Sequence, residues 1–363
     1  MSNLQLDYTA QEILANPAIV EPLWAGGVRC HGGYDDDGRY VSPRTRFRRL
    51  AIEAWQQHHS ETFGTELLNM PLDAWPEHYP NVPQAKYLLR EGVRLPLITT
   101  LTRVGTVEGF GAMIRHSAVS DIQRFFDEDV RGTAMAHLDG GLLEAHARDE
   151  AGYEEEAGHK QMWYATRDIA FENPLSPEQE AEIVERTSLR GPAALQTAAP
   201  PEPEFAFLAD IDPDLLALAQ RMIRILLIEI SAFHTFAWAE DVLSDIDLVA
   251  GEGDAARIVS YIRQDETPHV EYLRTGLTEM RDRTWIGNSG KKYPGTDVVG
   301  RMWDRAVAAS LSNTGNYPLT LDELDRALVD NPRRSEVIEG FHGLGSVELK
   351  PEMLAHPAGP QTY

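Results

Sequence analysis

Two copies of the motif Glu-x-x-His are the feature of the sequence that most directly indicates chemistry. One is formed by Glu156 and His159, the other by Glu266 and His269. On a helix, residues three apart lie about one turn from each other on nearly the same face, so a carboxylate and an imidazole at this spacing can bind one metal ion or a metal pair. We therefore expect Glu156 and Glu266 to face each other across a shared metal site.

Glu229 is a carboxylate with no easy route to water, because apolar residues flank it on both sides in 225–230. Burying an isolated carboxylate costs several kcal/mol, so such a group must be protonated, ion-paired or bound to a cation. Protonation of Glu229 and pairing with Arg224 are the alternatives to metal binding. We take Glu229 as a third candidate carboxylate ligand.

Glu108 is the one acid within 104–114, a stretch whose small residues permit close approach of another helix. Glu128 and Glu144 are alternatives for the same role, although their surroundings are more polar. Glu128 also lies closer in sequence to Glu156, which favours it on spacing. We expect the ligand to be Glu108, because burial is the stronger physical argument.

These candidates need helices to position them, and apolar residues that return every three or four positions predict a mostly α-helical chain. We expect one four-helix bundle, built from a first, second, third and fourth segment at 95–127, 138–172, 213–245 and 252–283. The proline-containing connection at 173–212 is too long for a tight turn between neighbouring helices. It predicts a crossover between the second and third segments.

The bundle region is predicted to occupy 93–284, between an N-terminal irregular and helical cap at 1–92 and a C-terminal helical extension at 285–363. Within the cap, the sequence predicts one helix at 43–68. Within the extension, it predicts helices near 297–312 and 320–343.

Composition excludes several classes of function. The chain has 363 residues, with 57 acidic and 33 basic side chains, and its formal net charge of −24 opposes binding to nucleic acid or anionic lipid. A single cysteine, Cys30, excludes an intrachain disulfide and a cysteine-ligated zinc or iron–sulfur site within one chain. The longest apolar run, 222–239, is interrupted by charged residues and is better explained as a buried helix than as a membrane span.

The ligand pattern resembles the ferritin-like di-iron and di-manganese carboxylate superfamily. In these proteins, two helices each give one Glu and the other two each give a Glu-x-x-His pair. The resemblance covers about 95–283 and implies an all-α, ferritin-like four-helix bundle with its long crossover between the second and third helices. The implied metal ligands are Glu108, Glu156, His159, Glu229, Glu266 and His269. Four carboxylates also balance the charge of two divalent ions, and oxygen ligands with imidazole suit iron or manganese.

Three residues beside the motifs carry further expectations. Members of the superfamily often read Asp-Glu-x-x-His, which implies that Asp265 accepts a hydrogen bond from a ligand imidazole, that of His159 on the facing helix. Pro268 removes one backbone hydrogen bond and predicts a kink beside the metals. Trp163, one turn after His159, is a candidate to line a substrate pocket or relay an electron, with a place in the apolar core as the alternative.

The resemblance implies an oxygen-activating di-iron oxidase or oxygenase that hydroxylates or N-oxygenates a small organic substrate. The cofactors would be two iron ions, with manganese as the alternative metal, and dioxygen as co-substrate. A di-manganese catalase-like or peroxide-removing protein is a second possibility, and a non-enzymatic iron-storage protein is a third.

Partner expectations follow from what the sequence lacks. It contains no Gly-x-Gly-x-x-Gly after a strand, no Walker motif and no thiolate cluster, so electrons for repeated turnover would come from an external reductase or ferredoxin. We expect a small-molecule substrate, a cytoplasmic location, and neither nucleic acid nor membrane as a partner. A homodimer is left open.

Overall fold

Helices predominate in the computed structural model, which describes residues 4–196, 203–312 and 317–345. The α-helices of this part of the chain are α1 (Ala10–Ile13), α2 (Arg48–Phe63), α3 (Val82–Arg90), α4 (Leu95–Gly111), α5 (Leu143–Ala151), α6 (His159–Phe171), α7 (Pro177–Gln196), α8 (Pro213–Leu243), α9 (Asp254–Asp265), α10 (Thr267–Arg281), α11 (Arg301–Leu311), α12 (Tyr317–Ala327) and α13 (Arg334–Gly343). The mostly α-helical class predicted from the sequence is confirmed.

Two small antiparallel sheets were not predicted. The first contains β1 (Glu21–Ala25), β2 (Val28–Tyr34) and β3 (Tyr40–Val41), and the second contains β4 (Thr284–Ile286) and β5 (Lys292–Pro294). Gly26 and Gly27 join β1 to β2 with positive φ angles of 56° and 79°, which glycine adopts without steric cost. The N-terminal cap is therefore partly a β-sheet.

The third segment forms one continuous helix, as predicted. Asp212 caps the N-terminus of α8 by accepting hydrogen bonds from the backbone N–H groups of Asp214 and Leu215, and Pro213 occupies the first turn. The buried residues of α8 recur at three- and four-residue intervals up to Ile230, and from Ala232 to Ala239 all residues but Thr235 are buried. Its N-terminal half packs in one apolar cluster with α5 and α10, and its C-terminal half packs in another with α4, α6 and α9.

The first segment is helical as α4, which packs closely against α6. A Cβ atom on Gly105 would lie 2.9 Å from the backbone oxygen of Lys160 and from Cβ of Trp163, so only glycine allows this approach. After Gly111 the segment continues as a short 3-10 turn (Ala112–Ser117) and not as one long helix.

The second segment is not one helix, which corrects the prediction for 138–172. It is divided into α5 and α6, because Gly152 leaves α5 with φ at +85° and 153–157 form a turn. The backbone of Ala157 then pairs with β2 through two hydrogen bonds, one to Arg29 and one from His31, both 2.9 Å long. The helix resumes only at His159.

The fourth segment is divided at Glu266, where α9 ends and α10 begins. Pro268 lies in the first turn of α10, where its missing N–H is tolerated. The break expected from Pro268 is thus present beside the second Glu-x-x-His motif.

The connection between the second and third segments contains α7, which lies against α4. The helix predicted at 43–68 is present as the shorter α2. In place of the single helix predicted at 320–343, the structure has two helices, α12 and α13. The helix predicted near 297–312 is present as α11, after a π-helical turn at Thr296–Gly300. Among the described residues, none of the helices combines the length and apolar composition needed to span a bilayer.

Candidate metal centre

The helices α4, α5, α6, α8, α9 and α10 bring carboxylates and imidazoles together in two buried groups. The potential ligand atoms of each group lie within 4.8 Å of one another. The two groups share one carboxylate, Glu150, so they form a single cluster rather than two separate sites. One group is Glu108, Glu150, His159 and Glu266, and the other is His146, Glu150, Glu229 and His269.

In the first group, Nδ1 of His159 faces three carboxylates. It lies 2.8 Å from Oε1 of Glu266, 3.4 Å from Oε1 of Glu150 and 3.8 Å from Oε2 of Glu108. Glu108 is thus the acid of the first segment that reaches the cluster. Its side chain is 10% exposed, whereas those of His159 and Glu266 are almost completely buried.

In the second group, Nδ1 of His269 occupies the equivalent place. It lies 2.6 Å from Oε2 of Glu266, 3.2 Å from Oε1 of Glu150 and 3.9 Å from Oε1 of Glu229. Glu266 therefore presents one oxygen to each of two imidazoles, and Oε1 of Glu150 lies close to both. This is the arrangement of two carboxylates that could bridge a pair of metal ions.

Several atoms of the cluster have close neighbours but no hydrogen bond among the described residues. They include both carboxylate oxygens of Glu150, Oε1 of Glu266, Nδ1 of His159 and Nε2 of His146. Leaving a buried polar group unsatisfied costs about 1–3 kcal/mol, and more for a charged group. One cation in each of the two groups would satisfy these atoms, so the residues present fit a metal pair.

The electrostatics of the cluster also call for added positive charge. Burial, reinforced by the charges of Glu150 and Glu266, raises the pKa of Glu108 well above its usual range. Burial and the nearby Glu266 do the same to the pKa of Glu229. Positive charge from bound divalent ions would favour the ionised form of both carboxylates.

The two imidazoles show the complementary effect. Burial disfavours the charged form of His159 and of His269 and would lower the pKa of each. The carboxylates around them, above all Glu266, have the larger effect and raise both pKa values well above the usual value. Burial likewise opposes the charge of Glu266, but the same two imidazoles lower its pKa well below the usual range. The cluster could therefore hold cations, either protons or metals.

A second row of acids lies behind the imidazoles. Oδ2 of Asp149 is 2.8 Å from Nε2 of His269, and Asp149 also accepts hydrogen bonds from Arg44 and Arg48. This contact fixes the orientation of the His269 ring, and leaves its Nδ1 directed at the cluster. Burial alone would raise the pKa of Asp149, but the two guanidinium groups hold it well below its usual range.

Asp265 has the corresponding position behind His159. Nε2 of His159 lies 3.6 Å from Oδ2 of Asp265, longer than a hydrogen bond. Closer partners of the same oxygen are Nε2 of His31 at 3.1 Å and the hydroxyl of Tyr40, which donates at 2.8 Å. Asp265 is thus where the sequence predicted it, and its role as an acceptor for His159 stays a prediction.

The structure places Glu156 outside the cluster, contrary to the prediction. Its side chain is 28% exposed and accepts a hydrogen bond from Arg29 at 3.2 Å. The physical reason is the turn after α5, because residues 156 and 159 do not lie on one helix and the three-residue spacing loses its meaning. Glu150, in the last turn of α5, occupies the expected place opposite Glu266.

His146 is a further member of the cluster that the sequence analysis missed. Its Nε2 lies 3.6 Å from Oε1 of Glu229 and 3.7 Å from Oε1 of Glu150. Its ring stacks on that of His269 with centroids 3.9 Å apart, and Nδ1 is 3.1 Å from the hydroxyl of Tyr272. The spacing of four between His146 and Glu150 on one helix was a signal available in the sequence.

The other candidates lie elsewhere. Glu128 accepts hydrogen bonds from the backbone N–H and the hydroxyl of Thr284. Glu144 pairs with two partly exposed arginines, Arg115 and Arg148. Trp163 is fully buried in the apolar core, with its ring 5.1 Å from that of Phe236, so the core alternative accounts for its position.

A cavity of about 430 Å³ opens beside the cluster between α4, α7, α8 and α12, and Glu108 is one of its lining residues. A small molecule in this cavity would therefore contact a residue of the candidate metal centre. Comparison of the chain with protein-family models, with curated proteins and with solved structures finds no match.

Proposed function

We propose that the chain is a ferritin-like di-iron oxidase or oxygenase that uses dioxygen to oxidise a small organic molecule. The observation that carries the proposal is the position of Glu266, whose two oxygens lie 2.8 Å and 2.6 Å from the Nδ1 atoms of His159 and His269. A bridging carboxylate between two imidazoles is the core of a dinuclear carboxylate centre.

The arrangement of helices supports the same proposal. Glu108 lies on α4, Glu150 on α5, Glu229 on α8, and Glu266 between α9 and α10. With α5 and α6 counted as one interrupted helix, and α9 and α10 as another, this is the order of a ferritin-like bundle, and α7 lies in the long connection before α8.

The residues that hold the metals would be Glu108, Glu150, His159, Glu229, Glu266 and His269, with His146 as a seventh candidate. Iron bound there would supply electrons to dioxygen, and manganese is the alternative metal. The chain's own part is to bind both ions, to orient the imidazoles through Asp149 and Asp265, and to exclude water with the buried helices around them.

The reaction must also balance in electrons. For a hydroxylation or an N-oxygenation, one oxygen atom of dioxygen enters the substrate and the other leaves as water, which consumes two further electrons and two protons. A reductase or ferredoxin would deliver these electrons, as a partner of this chain. The cavity beside Glu108 would hold the substrate.

The first test is metal stoichiometry. The metal-free chain is loaded anaerobically with Fe(II), and bound iron is counted after removal of the excess. We expect two ions per chain, and we expect Glu229→Ala and His269→Ala to lose metal while most of the helix content remains. If both variants retain two ions per chain, the ligand assignment is wrong.

The second test is reactivity. The loaded chain is exposed to dioxygen with candidate amines, aromatic acids and fatty acids, and oxygen uptake and product are measured. Oxygen uptake that yields an oxidised organic product supports the proposal. Rapid oxygen release from hydrogen peroxide by the manganese-loaded chain would favour a catalase-like protein, and binding of many more than two irons per chain would favour storage.

A further inference from the structure

Two side chains of the N-terminal region join the acids that lie behind the cluster imidazoles. Asp149 and Asp265 lie on opposite sides of the cluster, and Arg44 and His31 stand between them. All four side chains are buried. A chain of polar contacts therefore runs from one half of the metal centre to the other, and it does not pass through the carboxylates that could bridge the metals.

Arg44 makes the first link, because its guanidinium group reaches two partners. Its Nε donates to Oδ1 of Asp149 at 2.6 Å, and a terminal nitrogen donates to Nδ1 of His31 at 3.3 Å. The backbone of Arg44 has a φ of 51°, which is uncommon for residues other than glycine, and its N–H donates to Oδ1 of Asn16 at 2.7 Å. Such a conformation persists only where the surrounding contacts fix it, so Arg44 is held at both its backbone and its side chain.

The hydrogen bond from Arg44 fixes the tautomer of His31. A guanidinium group has only donors, so Nδ1 of His31 must accept and the ring proton must be on Nε2. This Nε2 lies 3.1 Å from Oδ2 of Asp265 and donates to it. His31, His159 and Asp265 lie close enough to form a third candidate group of metal ligands. A ring whose Nε2 carries the proton has no lone pair there for a metal ion, so His31 is a hydrogen-bonding link.

His31 also contacts a candidate metal ligand directly. Its ring meets the ring of His159 edge to face, with centroids 5.1 Å apart and planes at 78°. The oxygen that accepts from His31 is the same Oδ2 of Asp265 that lies 3.6 Å from Nε2 of His159. A shift of His31 would therefore change both the space and the charge beside the His159 ring.

We propose that Arg44 and His31 are positioning residues that couple the two halves of the metal centre, by orienting the imidazoles of His159 and His269 together. The inference rests on the proposed function in one respect, the assignment of these two histidines as metal ligands. Replacement of a group that orients a metal ligand lowers metal affinity about 10- to 100-fold. Because Arg44 and His31 stand between the two halves, their replacement should affect both ions.

The first comparison is between two lysine variants. Arg44→Lys and Arg48→Lys each replace a buried guanidinium group that donates to Asp149, and each keeps the positive charge. Arg44 also donates to His31. The second partner of Arg48 is instead the backbone oxygen of Pro43. We expect Arg44→Lys to lower the affinity for both ions about tenfold or more, and Arg48→Lys to lower chiefly the affinity for the ion on the Asp149 side.

The second comparison removes one donor of Asp265 at a time. His31→Leu and Tyr40→Phe each remove a hydrogen bond to Oδ2 of this acid. His31 is also joined to Arg44, whereas the ring of Tyr40 stacks on that of Tyr261. We therefore expect His31→Leu to lower the affinity for both ions and Tyr40→Phe to lower it for one. His31→Gln should restore most of the loss, because its amide oxygen can accept from Arg44 and its amide N–H can donate to Asp265.

Two measurements are made on each variant of the full-length chain. The first is NMR spectroscopy of the metal-free chain with isotope-labelled histidine, in which the signals of His159 and His269 are assigned with the His159→Gln and His269→Gln variants. We expect His31→Leu to shift the His269 signals more than Tyr40→Phe does, and the lysine variant at Arg44 to shift the His159 signals more than its control. The second is a stepwise anaerobic titration with Fe(II) against a chromophoric chelator, with circular dichroism to verify the fold.

Equal effects within both pairs of variants, in the NMR spectra and in the titration, would overturn the coupling. So would a His31→Gln variant as defective as His31→Leu, or a third bound ion that His31→Leu removes. The two proposals fail in different ways. If the unaltered chain does not bind two Fe(II) ions, the di-iron function is refuted, and the NMR comparison on the metal-free chain still decides whether the two imidazoles are coupled. If two ions bind and the variants within each pair behave alike, the metal centre stands and the coupling is refuted.

Discussion

Replacement of Glu150 by glutamine is the sharpest test of the candidate centre, because this residue was found by the geometry and not by the sequence motif. Oε1 of Glu150 lies 3.4 Å from Nδ1 of His159 and 3.2 Å from Nδ1 of His269, so it belongs to both halves of the cluster. Glu150→Gln keeps the size and shape of the side chain and removes one negative charge and one oxygen donor. Packing around α5 should therefore be preserved.

The expected loss is large and affects both ions. Changes to groups that merely orient a metal ligand cost 10- to 100-fold in affinity. Loss of a carboxylate oxygen placed between both imidazoles should lower the affinity for each ion at least about 100-fold, which corresponds to about 2.7 kcal/mol. Glu156→Gln is the matched control, since it makes the same chemical change in the turn after α5, where Glu156 contacts Arg29. A partly exposed ion pair contributes about 0–1 kcal/mol to stability, and metal affinity should not change.

The assay is a competition titration of each variant with a chromophoric chelator under anaerobic Fe(II), with circular dichroism to verify the fold. We expect Glu150→Gln to lose both equivalents of metal and Glu156→Gln to bind like the unaltered chain. The reverse result, with Glu156→Gln defective and Glu150→Gln unaffected, would mean that Glu156 binds metal as the sequence motif predicted, and it would refute the assignment of Glu150.

Three further predictions follow from the structure. Gly105→Ala should lower the free energy of unfolding by about 1–3 kcal/mol in urea denaturation, because the added Cβ would meet the backbone of α6. Gly109→Ala is the control: its Cβ would meet only the flexible side chain of Lys160, and the change should be neutral or stabilising. His146→Gln should lower the affinity for one metal ion more than for the other in a stepwise titration, because His146 belongs to one of the two ligand groups. An equal loss of affinity for both ions would contradict this prediction. Burial lowers the pKa of His78 from 6.5 to about 4, so its stabilising effect is complete above pH 6.5 and is lost as the pH falls toward 4. Between pH 7 and pH 5 the unaltered chain should lose about 2 kcal/mol of stability because of His78. His78→Phe keeps an aromatic ring against Trp238 and should lack this loss. An unchanged pH dependence in urea denaturation would refute the prediction.

Much of the helical layout could be predicted because it depends on local signals. The apolar periodicity and the Asp212-Pro213 start define α8, and Pro268 indicates the break before α10. The division of the second segment could not be predicted in this way. The turn after Gly152 is stabilised by backbone hydrogen bonds to β2, more than a hundred residues earlier, and periodicity within the segment carries no information about such a partner.

The candidate ligands show the same limit. Glu108 and Glu229 were identified by isolation among apolar residues, which is a property of burial and survives errors in helix boundaries. Glu156 was identified by spacing, which holds only on a continuous helix. One signal was overlooked, since both halves of the cluster contain the dipeptide Asp-Glu, at 149–150 and at 265–266, in which the Asp faces an imidazole Nε2 and the Glu faces an imidazole Nδ1.

The N-terminal region takes part in the centre through contacts that its sequence did not indicate. It supplies Arg44 and Arg48 to Asp149, and His31 and Tyr40 to Asp265. Each of these buried acids lies behind one imidazole of the cluster, so the region before α4 pairs one acid with two guanidinium groups and hydrogen-bonds the other. The two hydrogen bonds between β2 and Ala157 add a second link, because Ala157 lies two residues before His159. The break in the second segment therefore does not loosen the centre: the chain between Glu150 and His159 is held by the sheet, and α6 starts from a fixed point. A chain that lacked the region before α4 would leave Asp149 and Asp265 as buried acids without most of their partners, and removing the partners of a buried charge is strongly destabilising.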